Sequence, residues 1–191
     1  MISRISAAAV SATLLFSSAS MAQQASTGPY VSVAAGQSIF WDTERNIGND
    51  IEYEFFSLFL SGALGYRVTP NLRAEAELLY ESADIEDTFG FADIEVFRGT
   101  ISGYFDFNPI NMGGYPLSPY VGGGFGFANV DLVDDDTELT WHAEGGVSVP
   151  IANNLEIVPG LRFEYITIDQ NNIEDDSIWV TQVRVGVRYS F

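Results

Sequence analysis

The chain has 191 residues, 47% of them hydrophobic, with no cysteine, no lysine and a formal net charge of −18. Lack of cysteine excludes disulfides and thiolate metal centres, and the negative charge excludes a phosphate backbone as partner, so no nucleic acid is expected. Beyond the N-terminal region no eighteen consecutive residues are apolar, so a membrane-embedded mature chain would have to be a closed β-barrel.

Residues 1–22 read as a cleavable export signal. Arg4 supplies the positive start, Ala7 to Ala19 the short apolar core, and Ser20-Met21-Ala22 the small-x-small cleavage site. Residues 23–28 then form a short N-terminal segment, and 29–191 are expected to be one β domain.

Eight segments of roughly ten to fourteen residues alternate apolar and polar side chains, the period of a strand with two unlike faces. They are Tyr30–Trp41, Phe56–Val68, Leu72–Tyr80, Phe97–Phe107, Tyr120–Val130, Leu139–Val149, Leu155–Thr167 and Trp179–Phe191. Turn-forming connectors follow the second, fourth and sixth: Thr69-Pro70-Asn71, Asn108–Pro119 and Pro150–Asn154. Longer acidic connectors follow the others, around residues 42–55, 81–96, 131–138 and 168–178. Short turns at one end and long loops at the other predict an all-β, eight-stranded antiparallel up-and-down barrel with both termini at the short-turn end.

Aromatics fall on the more apolar face in two rings. At the long-loop end lie Trp41, Phe56, Tyr80, Phe97, Phe127, Trp141, Tyr165 and Trp179; at the other, Tyr66, Phe105, Phe107, Tyr189 and Phe191. Two such belts around an aliphatic band are expected at the two interfaces of a membrane, so the predicted barrel is transmembrane. Two irregularities are expected: a bulge or register change at Gln37, which otherwise faces lipid, and a bulge at Pro159, which lacks a ladder donor.

The opposite face holds small residues, the arginines Arg67, Arg73, Arg98, Arg162, Arg184 and Arg188, and the acids Glu75, Glu77, Asp106, Glu144, Glu156 and Glu164. This predicts a lumen with zero net charge, with Glu81 at its rim. Nineteen acids against the single Arg45 are then left to the connectors.

With its strands so placed, the chain resembles the small outer-membrane β-barrels of Gram-negative bacteria, the OmpA transmembrane-domain, OmpX and opacity-protein group of surface antigens. The resemblance spans about residues 28–191 and rests on Arg184-Val185-Gly186-Val187-Arg188-Tyr189-Ser190-Phe191, with Gly65-Tyr66-Arg67-Val68-Thr69-Pro70-Asn71 and Pro119-Tyr120-Val121-Gly122-Gly123-Gly124. It implies that Arg184, Gly186, Tyr189 and Phe191 form the signal read by the barrel-assembly machinery, and that outer-membrane lipid and lipopolysaccharide surround a monomeric barrel. The resemblance carries over no cofactor and no peptidoglycan-binding domain.

Three chemistries remain to weigh. The charged lumen reads as a salt-bridged plug rather than an ion path, because eight strands enclose a bore that side chains just fill. His142, Glu144 and Ser148 share the inner face. The lipid A deacylases of similar barrels present their catalytic group to the lipid, so no catalytic residue is assigned and the chain is not expected to be an enzyme. Asp134, Asp135, Asp136 and Glu138 offer oxygen ligands to divalent cations without an EF-hand spacing, so they read as a repulsive solvated surface. The function expected is a structural or surface-interaction role through four acidic extracellular loops. A small porin is the alternative.

Overall fold

The computed structural model describes residues 27–42, 55–87, 90–130, 137–168 and 176–191. The expected export signal, the acids Asp134 to Asp136, and the side chains of Trp41 and Phe56 lie outside the described residues.

Side-chain alternation builds the strands. Along β2 (Phe55–Arg67), Ser57, Phe59, Ser61, Ala63 and Arg67 are buried while Leu58, Leu60, Leu64 and Tyr66 are exposed. Along β3 (Leu72–Asp87), Arg73, Glu75, Glu77, Leu79 and Glu81 are buried while Leu72, Leu78 and Tyr80 are exposed. A soluble barrel would bury its leucines and expose its charges. Here the relation is inverted, which is the pattern for a sheet whose outer solvent is hydrocarbon.

The remaining strands are β1 (Gly28–Asp42), β4 (Gly90–Asp106), β5 (Ile110–Met112), β6 (Tyr115–Val130), β7 (Thr137–Ala152), β8 (Leu155–Ile168) and β9 (Asp176–Ser190). Neighbours pair antiparallel in chain order, except that β4 passes over the short β5 to pair with β6, from Val96↔Val130 to Asp106↔Tyr120. β1 pairs with both β2 and β9, from Tyr30↔Ser190 to Asp42↔Ile178 on the latter side, and so closes a ring of eight strands. The Phe191 amide donates to Pro29 O at 3.2 Å, continuing this seam. Closure satisfies the backbone donors and acceptors that an open edge would leave in lipid.

The short-turn end is held by local bonds. Val68 and Thr69 amides donate to Leu72 O, and Thr69 Oγ1 accepts from the amides of Asn71 and Leu72. Asn154 Nδ2 donates to Ser190 O at 2.7 Å, tying the β7–β8 turn to β9.

Four expectations are corrected. The connector predicted at 81–96 is mostly strand: β3 and β4 stay paired from Glu81↔Val96 to Asp87↔Gly90, which leaves two residues between the strands. The stretch 108–119 contains a small hairpin, β5 against the start of β6, turning on Gly113 (φ 63°) and Gly114 (φ 90°). Two left-handed central residues suit a two-residue hairpin, and glycine adopts them without steric cost. Gln37 sits in an unbroken register opposite Leu58 and Val183, with no bulge; it faces outward. Finally, the β7–β8 irregularity lies between Pro150 and Ala152, beside the turn. At Pro159 the register is kept, although no pairs form between Gly146↔Gly160 and Val149↔Ile157, where the missing N–H falls.

Candidate functional site

The inner face of the ring is the candidate site. All six predicted arginines are buried there, each no more than 6% exposed, and each meets at least one carboxylate. A buried charge is tolerated only when paired and hydrogen-bonded, so the sequence positions dictate a stack of clusters along the bore.

At the short-turn end, Arg67 Nη1 lies 3.0 Å from Asp106 Oδ2, and Arg188 Nη1 donates to Glu156 at 3.0 Å and to Ser148 Oγ at 3.2 Å. The next cluster surrounds Arg73. Its Nε donates to Asp106 at 3.2 Å, its Nη1 contacts Glu75 at 3.3 Å and Tyr30 Oη at 3.2 Å, and its guanidinium lies 3.7 Å over the Tyr104 ring. Tyr30 in turn donates to Glu75 at 2.8 Å.

The middle of the bore is a quartet of two arginines and two glutamates. Arg162 reaches both oxygens of Glu77, at 2.8 and 3.2 Å, and Glu144 at 2.7 Å. Arg184 reaches Glu77 at 2.6 Å and Glu144 at 3.2 Å. Tyr120 and Tyr104 donate to the two oxygens of Glu144, at 2.9 and 3.3 Å. Each carboxylate thus meets two guanidinium groups, and the quartet has zero net charge.

At the opposite end Arg98 bridges Glu81 and Glu164, the latter at 2.7 Å. Ser57 donates to Glu81, and Thr140 to Glu164 at 2.6 Å. This corrects the expected rim position of Glu81: it is 1% exposed and belongs to the lumen. The six arginines therefore face seven carboxylates, giving a net charge of −1 rather than zero, with the surplus in this last cluster.

Four large side chains in the lumen escaped the sequence reading: Tyr30, Tyr104, Tyr120 and Phe59, each 4% exposed or less. Assigning aromatics to the outer belts hid them, yet their positions have the parity of the inward charges. Tyr104 lies between Ser102 and Asp106, and Tyr120 shares the parity of Gly122 and Gly124. Glycine makes room for them: a Cβ on Gly146 would come within 2.7 Å of Tyr120 Oη.

His142 and Glu144 are both buried and face inward. The contact to His142 Nε2 comes from Ser102 Oγ at 3.2 Å, while Ser148 serves Arg188. Ser102 beside His142 has the spacing of a nucleophile and base, but His142 Nδ1 lacks an orienting partner among the described residues. The ring is 3% exposed. Glu138 lies half-buried on β7, and no group of three or more His, Cys, Asp or Glu able to hold a metal occurs among the described residues.

Outside, Tyr80, Phe97, Phe127, Trp141 and Trp179 are 41–49% exposed near the long-connector end, with Tyr165 between Trp141 and Trp179 at ring distances of 5.2 and 4.9 Å. Tyr66, Phe105, Phe107, Tyr189 and Phe191 are exposed at the other end, where Phe105–Phe107 and Tyr189–Phe191 pair edge to face. Gly186 faces inward between Arg184 and Arg188.

The same architecture recurs among solved structures. The Neisserial surface protein A (NspA) is similar at 21% identity and a TM-score of 0.65, covering 86% of this chain and 97% of its own. The outer membrane protein AlkL, determined in DMPC lipid bilayers, follows at 14% identity and 0.54, with 92% and 97% covered. OprG from Pseudomonas aeruginosa does so at 11% and 0.51, with 86% and 97% covered. At these identities the likeness is one of fold. No curated protein sequence matches the chain significantly. The sequence profile of the family described as Outer membrane protein beta-barrel domain matches residues 8–191. The chain is a member of that family, and its place is the bacterial outer membrane.

Proposed function

We propose that this barrel is a closed, non-catalytic anchor that meets other molecules through the acidic connectors between its strands at the end opposite the tight turns. The observation that supports this reading best is the quartet of Arg162, Arg184, Glu77 and Glu144. Its side chains come from β3, β7, β8 and β9 and meet in the middle of the bore. An ion would have to separate pairs that compensate one another in a low dielectric, which costs several kcal/mol per uncompensated charge.

In this reading residues 1–22 direct export, and Arg184, Gly186, Tyr189 and Phe191 present the insertion signal to the assembly machinery. The two aromatic belts set the depth of a monomer among phospholipid and lipopolysaccharide. With seven lumenal carboxylates set apart, nineteen acids belong to the connectors and strand ends, so the exposed end is strongly anionic. An extracellular ligand would meet that end.

Refolded protein in a planar bilayer is expected to show no stable unitary conductance. Steady openings of large amplitude would instead make the chain a small porin. Capture of ligands from intact cells by the full barrel, compared with a version whose three long connectors, 43–54, 131–136 and 169–175, are shortened, is expected to lose its signal in the shortened form.

A further inference from the structure

We infer that the β5–β6 hairpin is an interfacial foot, laid by one face against the phospholipid headgroups of the periplasmic leaflet. The inference rests on the outer-membrane reading above and adds a contact below the aromatic belt.

The hairpin continues the lipid-facing surface without a break. On β6 the outward residues are odd-numbered: Val121, Phe125 and Phe127 are 49–63% exposed. Tyr115 and Leu117 keep that parity, and their β5 partners are Met112 and Ile110. Ile110, Met112 and Tyr115 are 54%, 64% and 49% exposed. The reverse face carries Asn111, Pro116 and Ser118 instead. Among the described residues β5 pairs with β6 alone, and Ile110 and Met112 on its apolar side stay more than half exposed.

β5 also runs along the edge of β6 that β4 occupies higher up. β4 ends at Asp106↔Tyr120, the Phe107 amide donates to Pro119 O at 2.8 Å, and β5 resumes at Ile110↔Leu117. The apolar side of the hairpin is thus continuous with Phe105 and Phe107 of the lower belt. Four residue steps lead from Pro119 to Tyr115, about 13 Å of strand at ~3.3 Å per residue. Tilted at about 40°, that is roughly 10 Å along the bilayer normal. The headgroup layer is about 5–8 Å deep on each side, so the hairpin spans it. Phospholipid is the occupant that this continuity requires.

The cysteine-free chain allows single nitroxides to be placed at will. Met112→Cys, Ile110→Cys, Asn111→Cys and Leu64→Cys would each be labelled, refolded into phosphatidylethanolamine and phosphatidylglycerol vesicles, and power-saturated in oxygen and in a water-soluble nickel chelate. Leu64, 70% exposed on β2, reports whether the barrel is inserted. Support requires labels at 110 and 112 to favour oxygen over nickel several-fold, the label at 111 to favour nickel, and the label at 64 to be the deepest. Nickel-accessible labels at 110 and 112 with a deep label at 64 would overturn the foot alone and leave the face to a periplasmic polypeptide. An oxygen-favouring label at 111 would overturn the one-sided contact. A nickel-accessible label at 64 would overturn both the foot and the membrane reading.

Discussion

Replacing Arg162 by methionine tests the lumen directly, because the volume is nearly kept while one charge leaves the quartet. Arg162 makes two bonds to Glu77, at 2.8 and 3.2 Å, and approaches Glu144 at 2.7 Å. After its loss Arg184 alone faces both carboxylates, and the quartet passes from neutral to −1. Removing one partner of a buried pair costs about 3–5 kcal/mol, because the other is left uncompensated. The retained bonds of Arg184 place the expected loss for Arg162→Met near the lower end, about 3 kcal/mol. Urea unfolding of the barrel in lipid vesicles, followed by tryptophan fluorescence and gel mobility, reads this change. Adding Glu77→Gln restores neutrality, and the double variant is expected to recover at least half of the loss, since the amide still accepts from Arg184. A single-variant loss below about 1 kcal/mol, or a double variant no better than the single, would refute the premise that charge compensation governs this bore.

Three further outcomes follow from the geometry. Gln37→Leu is expected to raise stability by about 1–3 kcal/mol, the cost of an amide in an apolar medium without a partner; an unchanged urea midpoint would mean that Gln37 is not in hydrocarbon. Gly122→Val is expected to lower stability by roughly 1–3 kcal/mol, because the Tyr104 ring and Gly103 O, the latter 2.7 Å from where the new Cβ would be, must give way. An unchanged midpoint would show that the ring is not fixed over the glycine. Phe191→Ala is expected to slow machinery-assisted insertion several-fold while changing the unfolding free energy of the finished barrel by no more than about 1 kcal/mol. Equal effects on both would remove the insertion role.

Most of the barrel was legible because period-two alternation reports the face of every residue once one residue is placed. The inward face of the six arginines and of six of the seven lumenal carboxylates followed from parity alone. Glu81 was missed for a physical reason: the acidic run after Tyr80 reads as loop, whereas pairing with β4 carries the strand six residues past Glu81, to Asp87. Tyr30, Tyr104 and Tyr120 were missed because aromatic residues favour lipid interfaces on average. Inside a bore their hydroxyls find carboxylates, Glu75 for Tyr30 and Glu144 for the other two. The proline irregularity was misplaced because a missing donor removes pairs without inserting a residue. The extra residue sits instead near Ile151, where the chain turns.

The lumenal pairs join residues far apart along the chain. Arg162 and Glu77 are separated by 85 residues, Arg184 and Glu77 by 107, and Arg98 and Glu164 by 66. Each joins strands at least three places apart in the ring, so none can form within a hairpin, and the shorter way from Arg184 on β9 to Glu77 on β3 runs through the seam where the last strand meets the first. Before the ring closes the same thirteen charged side chains are open to water, where their charge opposes association of an otherwise apolar chain. Afterwards they are sealed from solvent and hold opposite walls together. Charges that hydrate the open chain thus become, once the ring closes, the keystone between its walls.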